Sequence, residues 1–170
     1  MKEKVGKKLF VIRFVSWLLV VACMTVIFSF STQPLKESNE TSTNFTESVL
    51  ENTFPSFDEK NKQEKSDFLA DIMLVVRKSA HFAIFVLLGF LFMNALHTYK
   101  LKTKLKVWLA VAFTTLYAIS DEVHQLFTAE RTGQITDVLI DTLGGISGIF
   151  LFLLVVHCIK KLFTKTQTGN

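Results

Sequence analysis

Cysteine, proline and glycine are scarce in this chain of 170 residues, which contains two cysteines, two prolines and seven glycines. Cys23 and Cys158 both lie in apolar runs, and no Cys-x-x-Cys pair or Cys/His ligand spacing occurs. Neither a disulfide scaffold nor a structural zinc site is therefore supported. The sequence also lacks an HExxH motif, a glycine-rich phosphate loop, a nucleophile motif and a visible internal repeat. No motif of this kind names a reaction.

Apolar residues are abundant instead: they make up 49% of the chain, include 17 phenylalanines and form long runs. Such runs are typical of membrane proteins rather than of soluble cores. The formal net charge of +4 could indicate nucleic-acid binding, but the lysines cluster beside the apolar runs. A membrane-flanking role explains them better. We therefore expect the lipid bilayer, and no nucleic acid, as a partner.

Four apolar segments predict an all-α protein with four transmembrane helices. They run over Leu9–Phe30, Ser79–His97, Leu105 to about Phe127, and Val138–Ile159. The third is purely apolar only as far as Ile119, or about fifteen residues, whereas a spanning helix needs ~20. This helix must therefore continue through the polar residues that follow.

Lysine clusters fix the expected orientation. They lie before the first segment, between the second and third, and after the fourth: Lys2, Lys4, Lys7 and Lys8; Lys100, Lys102, Lys104 and Lys106; Lys160, Lys161 and Lys165. Four spans place all three clusters on one side, and the positive-inside rule makes that side cytoplasmic. The sequence thus predicts a basic cytoplasmic N-terminus (residues 1–8), a transmembrane domain (9–159) with an external loop (31–76) after its first span, and a basic cytoplasmic tail (160–170).

Part of the external loop has helical periodicity. Within Ser66–Val76, apolar residues recur at i, i+1, i+4, i+5 and i+8, which predicts a short amphipathic helix. This helix would lie on the outer leaflet or lead directly into the second span. A rival interpretation concerns the N-terminus, where Val20-Val-Ala-Cys23 resembles a lipoprotein signal. The apolar run continues to Phe30, so we expect the first span to be retained.

Several ionisable and polar residues lie within or beside the apolar segments. A membrane tolerates such groups poorly, because a charged group at a helix centre costs roughly 2.5–3.5 kcal/mol on insertion scales. The predicted topology brings them to one layer at the outer face, to which the second, third and fourth helices and the last loop all contribute. The members of this candidate functional cluster are Arg77, Lys78, His81, Asp121, Glu122, His124, Gln125, Arg131, Asp137 and Asp141.

Helical spacing predicts which of these residues share a face. Asp137 and Asp141 stand four residues apart, and Gly144 and Gly148 continue the same stripe. Because Gly-x-x-x-Gly is a close-packing signature in apolar helices, we expect the two glycines to pack helices and Asp141 to face the bundle. In the same way Arg77 lies on one face with His81, and Asp121 on one face with Gln125, with His124 beside them.

The chemistry of this cluster stays open on the residues alone. Carboxylates and histidines could hold a divalent metal or act as general acid and base, while Arg77 and Arg131 could hold an anionic group. A plain structural alternative also exists, in which pairs such as Arg77–Asp141 or Arg131–Asp121 only lock the bundle. Catalytic residues, a metal and a reaction therefore remain unassigned.

Several short blocks together resemble the VanZ-like family of bacterial membrane proteins. The matching blocks are Phe28-Ser-Phe-Ser-Thr-Gln33, Arg77-Lys-x-x-His81-Phe82, Ser120-Asp-Glu-x-His-Gln125, Arg131-x-Gly133, Asp137 and Asp141-x-x-Gly144. The resemblance implies an integral membrane domain of four to five helices, and the best-known member is associated with lowered susceptibility to teicoplanin. It implies no established catalytic mechanism. The segment from Thr41 to Lys65 has no strong match.

Three functional hypotheses follow from these observations. The first is a cell-envelope protein that changes the action of lipoglycopeptides such as teicoplanin at the outer membrane face. The second is a membrane-embedded enzyme that acts on a lipid-linked or phosphorylated envelope molecule, such as a lipid-linked cell-wall precursor. The third is a non-catalytic membrane partner whose charged cluster locks the bundle or docks another protein and would therefore be fully paired and closed.

Overall fold

The structure, a computed structural model, describes residues 2–31, 62–127 and 134–168, and these form four α-helices with no β-strand. We name them α1 (Lys2–Ser31), α2 (Lys62–His97), α3 (Thr103–Gln125) and α4 (Ile135–Thr168). Arg13, in the N-terminal half of α1, contacts Thr98 at the C-terminal end of α2. Ser31 and Asp121 join the C-terminal ends of α1 and α3. Helices α1 and α3 therefore run in the same direction, and α2 runs opposite to both. The predicted all-α class is confirmed.

Three of these helices are long and apolar enough to cross a membrane: Val5–Ser31, Gln63–His97 and Ile135–Thr164. The third helix in the chain, α3, has 23 residues, which is ~35 Å at 1.5 Å per residue. That length exceeds the ~30 Å hydrocarbon core of a bilayer. Four charged residues lower the mean hydropathy of α3, so composition alone does not identify it as a spanning helix: Lys104, Lys106, Asp121 and Glu122.

The bundle has a buried apolar core that includes Phe85, Leu88 and Met93, but it differs from a water-soluble protein because large apolar side chains also cover its outside. Exposed examples occur on every helix, including Phe10, Leu87, Trp108 and Phe150. The buried polar and charged side chains are Ser16, Ser31, Lys106, Thr114, Asp121, Glu122, Gln125 and Asp141. This distribution fits a surface that faces lipid.

One stripe of α3 carries both its small residues and its ionisable ones. Its buried residues recur every three or four positions, which places them on a single helical face: Lys106, Ala110, Thr114, Ala118, Asp121, Glu122 and Gln125. The buried face of α1 has the same spacing, from Ser16 through Val20, Cys23 and Ile27 to Ser31. The periodicity that packs the helices thus also directs the carboxylates inward.

Glycines let α2 and α4 approach closely, and these two helices share the most extensive contact in the bundle. A Cβ atom at Gly144 would lie 2.6 Å from the carbonyl oxygen of Phe82, and one at Gly148 would collide with the carbonyl oxygen of Val86. Gly89 of α2 faces Gly145 of α4 in the same way. No larger residue fits there unless the helices separate, as is usual for small-residue interfaces in membranes.

Helix ends differ from the predicted spans. Residues 66–76 belong to α2, which matches the second of the two expected placements, a helix that leads directly into the second span. Helix α4 continues to Thr168, through most of the predicted tail. A helix ends where its backbone hydrogen bonds or propensities fail, not where the apolar run stops, and Lys, Glu and Gln are good helix formers. The rest of the predicted external loop, residues 32–61, lies outside the described part of the chain.

Candidate functional site

One end of the bundle brings together parts of all four helices: the C-terminal ends of α1 and α3, the middle of α2 and the start of α4. We call this the acidic end and define it by the residues that carry its contacts: Ser31, Arg77, Lys78, His81, Asp121, Glu122, Gln125, Asp137 and Asp141. Four elements therefore contribute to one polar region within an otherwise apolar bundle.

Asp121 is held in place by two donors. Its side chain is buried at 3% exposure. Its Oδ2 accepts hydrogen bonds from Ser31 Oγ of α1 at 2.7 Å and from Gln125 Nε2 at 3.0 Å. Its Oδ1 is equally buried but accepts no hydrogen bond from any described residue. The two donors thus fix the orientation of the carboxylate and leave one oxygen available.

Glu122 and Asp137 each have a defined partner. The backbone N–H of Gln134, just before α4, donates to Glu122 Oε2 at 2.9 Å. Lys78 Nζ of α2 lies 2.5 Å from Asp137 Oδ1, and both side chains are partly exposed. These contacts tie α2 and α3 to the start of α4.

Asp141 is the most deeply buried carboxylate among the described residues, at 1% exposure. Its Oδ2 lies 3.7 Å from His81 Nδ1, which is beyond hydrogen-bonding distance. Neither oxygen of Asp141 accepts a hydrogen bond within the part of the chain that the structure describes. A buried polar group without such a partner is costly, by about 1–3 kcal/mol or more when charged, so this arrangement calls for an explanation.

A small cavity of about 10 Å³ opens among these side chains. That volume corresponds to about one water molecule. Its lining combines cationic, acidic and neutral residues from three helices: Arg77, Lys78, His81, Glu122, Gln125, Asp137, Ile140 and Asp141. Acid–base groups and two fixed cations therefore share one enclosed space.

Three side chains at this end are arranged as metal ligands can be. One ligand atom each from His81, Asp121 and Asp141 lies within 4.8 Å of the other two. Asp137, which the sequence pattern pairs with Asp141, is instead engaged by Lys78 and does not belong to this group. The spacing along the chain thus paired Asp141 with a carboxylate outside this group, whereas its neighbours in the group come from other helices.

Seven of the ten predicted cluster residues line the cavity, and Asp121 lies against them. His124 is placed differently, since its ring stacks on Phe28 of α1 with centroids 4.3 Å apart. Arg131 lies outside the described residues, so the Arg131–Asp121 pair is not addressed. The alternative ion pair of Arg77 with Asp141 is not formed; the side chain that approaches Asp141 is that of His81, with 3.7 Å between Nδ1 and Oδ2.

Two contributors were not singled out from the sequence. Ser31 lies within the Phe28–Gln33 block of the family resemblance but was not assigned to the cluster; its position four residues after Ile27, at the end of the buried stripe of α1, is the signal that could have assigned it. The contribution of Gln134 comes from its backbone N–H and carries no side-chain signal. The role of Gly89 in helix packing was not predicted either, because its partner Gly145 lies on another helix.

The bundle and its acidic end define a helical, membrane-type protein with a buried carboxylate site. A family model described as VanZ/LLP1 matches residues 14–156, most of the chain, and the chain belongs to this family. The match covers α2 and α3 in full, the larger part of α1 and of α4, and every residue of the acidic end. Comparisons with curated proteins and with solved structures gave no match.

Proposed function

We propose that this protein is a cell-envelope membrane protein that modulates bacterial susceptibility to lipoglycopeptides such as teicoplanin, through the acidic end acting at the outer membrane face. The observation that carries the proposal is a set of buried carboxylates that the bundle leaves incompletely hydrogen-bonded. Groups retained within an apolar bundle at such a cost generally serve function. Family membership supports the same direction.

The proposed topology has four spans with both termini in the cytoplasm. The start of α1, the α2–α3 connection and the end of α4 lie at the bundle end opposite the acidic end, as the Arg13–Thr98 and His97–Phe152 contacts indicate. The lysine clusters of the sequence all belong to these segments. Under the positive-inside rule this end faces the cytoplasm, and the acidic end faces outward.

An outward site is suited to ligands found at the membrane surface. Teicoplanin carries an acyl tail that can enter the outer leaflet, and lipid-linked cell-wall precursors carry anionic groups at the same depth. Arg77 and Lys78 supply cationic side chains at the cavity, and Arg is well suited to bidentate contacts with carboxylate or phosphate. We propose a lipoglycopeptide or a lipid-linked precursor as the partner.

Deletion and re-expression test this proposal. In a bacterium that carries the gene, deletion should raise teicoplanin susceptibility and re-expression should restore resistance, while a glycopeptide without an acyl tail serves as the comparison drug. Arg77→Gln should fail to restore resistance, and Lys100→Gln at the opposite, exposed end should restore it fully. Unchanged teicoplanin susceptibility on deletion and on re-expression would refute the proposal.

A second candidate function is an enzyme that acts on a phosphorylated or lipid-linked envelope substrate. The observation that favours it is that His81 and Glu122 line the same cavity as Arg77, so proton-transfer and anion-binding groups are adjacent. Under this proposal Glu122→Gln should abolish turnover of the lipid-linked precursor fraction while the purified protein remains folded. Full turnover by the folded variant would exclude Glu122 as the acid or base.

The third hypothesis, a cluster that only locks the bundle, has less support. It expects every charged group to be paired, whereas Asp121 and Asp141 together have three buried oxygens that accept no hydrogen bond from the described residues. A locking site would gain most from satisfying these atoms. We therefore favour a site that binds a ligand.

A further inference from the structure

We propose that His81, Asp121 and Asp141 bind one divalent transition-metal ion, with Zn²⁺ as the best-matched species. The three residues come from α2, α3 and α4, so the ion would join three helices at the acidic end. This inference goes beyond the envelope role proposed above and does not depend on it, since metal binding is measured on the purified protein.

The distances already approach those of a coordinated ion. Zn–N and Zn–O bonds are about 2.0–2.2 Å, which separates two ligands on a tetrahedral centre by ~3.4 Å. The 3.7 Å between His81 Nδ1 and Asp141 Oδ2 is close to that value and too long for a hydrogen bond. With all three ligand atoms within 4.8 Å of one another, small side-chain rotations bring Asp121 into the same shell.

The hydrogen bonds around the three residues support a ligand at this position. Asp141 is buried, and neither of its oxygens accepts a hydrogen bond from the residues that the structure describes; Asp121 has one such oxygen. The other oxygen of Asp121 is held by Ser31 and Gln125. Ligating carboxylates are commonly oriented by outer-shell donors in this way. A bound cation would satisfy the three oxygens that accept no hydrogen bond from the described residues.

Ligand type selects the class of metal. An imidazole nitrogen with two carboxylates suits zinc and related transition metals, whereas Mg²⁺ and Ca²⁺ prefer oxygen ligands alone. Three protein ligands leave coordination positions for water or for a ligand, as in open zinc sites. The cavity of about 10 Å³ beside Asp141 holds about one water. Arg77 and Lys78 in its lining would favour an anion on the metal.

Metal binding can be tested with the full-length protein in detergent micelles after treatment with a chelator. Isothermal titration with Zn²⁺ should give one site per chain, and Co²⁺ should give the visible absorption of a site with nitrogen and oxygen ligands. Asp141→Asn and His81→Gln should each weaken Zn²⁺ binding by at least about tenfold, the lower bound for loss of even an outer-shell partner. Mg²⁺ and Ca²⁺ should compete weakly.

Matched controls come from the same helices. Asp71→Asn in α2 and His157→Gln in α4 change exposed residues outside the acidic end and should bind Zn²⁺ as the wild type does. Ser31→Ala should weaken binding less than Asp141→Asn, since Ser31 orients Asp121 without contacting the ion. Equal losses in the control and ligand variants would assign the binding to other sites and overturn the proposal.

The wild type provides a readout that no folding defect can obscure. Because a ligand that binds only the folded state stabilises it by mass action, Zn²⁺ should raise the thermal midpoint of the chelator-treated wild type, and renewed chelation should reverse the rise. Absence of both stoichiometric binding and this reversible shift would refute the site, whether or not the variants fold. Neither result alters the antibiotic-susceptibility test, so the two proposals fail independently.

Discussion

The two ends of the bundle differ in how completely their buried polar groups are hydrogen-bonded. At the end opposite the acidic one, which we call the basic end, donors meet acceptors: Arg13 Nη2 donates to the Thr98 carbonyl oxygen at 3.2 Å, and Lys106 Nζ donates to that of His97 at 3.3 Å. Both carbonyls lie at the C-terminus of α2, where carbonyl groups lack helical partners and cations are favoured. Arg13 also lies 4.4 Å from the ring centroid of Tyr99.

At the acidic end the balance is reversed, because acceptors outnumber the donors that reach them. Asp121 and Asp141 retain three oxygens without hydrogen bonds from the described chain, whereas at the basic end only Arg13 Nε is in that position among the described side chains. The charged groups of the basic end therefore stabilise the bundle by bonding to carbonyl groups at a helix terminus. The three carboxylate oxygens of the acidic end that accept no hydrogen bond from the described residues instead cost stability, and this difference supports the binding site proposed above.

The glycine interface supports both ends, so its disruption should have the largest effect. A side chain at Gly148 would collide with α2, whose Phe90 backbone nitrogen lies 2.8 Å from the Cβ position. Gly148→Leu should lower the free energy of unfolding by about 3 kcal/mol. Denaturant titration in bicelles measures the change. Gly6→Leu is the control, because no described atom lies within 4 Å of its Cβ position.

Removing a hydrogen-bond donor at the acidic end should have the next largest effect on the free energy of unfolding. Ser31→Ala deletes the 2.7 Å hydrogen bond to Asp121 and leaves a buried carboxylate with Gln125 alone. We expect a loss of about 2 kcal/mol, as for hydrogen bonds to charged groups. The same unfolding assay applies. Ser29→Ala, an exposed position in the same helix whose hydroxyl bonds to Thr25, should change stability little, and an equal loss there would contradict the assignment.

Removing a donor at the basic end should destabilise more mildly. Arg13→Met deletes the hydrogen bond to Thr98 and the contact with Tyr99 but retains much of the apolar stem. We expect a loss of about 1 kcal/mol, the usual scale of one such interaction in a partly exposed site. Lys8→Met at an exposed position of α1 is the control. A gain in stability from Arg13→Met would remove the contrast between the two ends.

The sequence predicted much of this arrangement, since helical spacing determines which residues share a face. The i, i+4 spacing of Asp121 and Gln125 predicted a shared helical face, and the structure joins their side chains by a hydrogen bond. The inward position of Asp141 followed from the glycines on its stripe, and its burial agrees with that expectation. Periodicity is a local property, and these features depend only on one helix.

Features that depend on two helices were harder to predict. The stacking of His124 on Phe28 depends on how α1 and α3 pack, as does the Ser31–Asp121 hydrogen bond. The pairing of Asp141 with His81 rather than Arg77 depends on the rotation of α2 against α4, which the Gly89–Gly145 contact helps to set. No pattern within a single helix determines such rotations.

The unfolding free energy of Asp141→Asn, measured with chelator and with Zn²⁺, tests the central claim most directly. In chelator the variant should be more stable than the wild type by about 1–3 kcal/mol, because a buried carboxylate without hydrogen bonds becomes a neutral amide. With Zn²⁺ the wild type should regain stability and the variant should not; exposed Asp71→Asn should follow the wild type in both. A variant that is destabilised in chelator as strongly as Ser31→Ala would show that Asp141 stabilises the bundle, and would contradict the account.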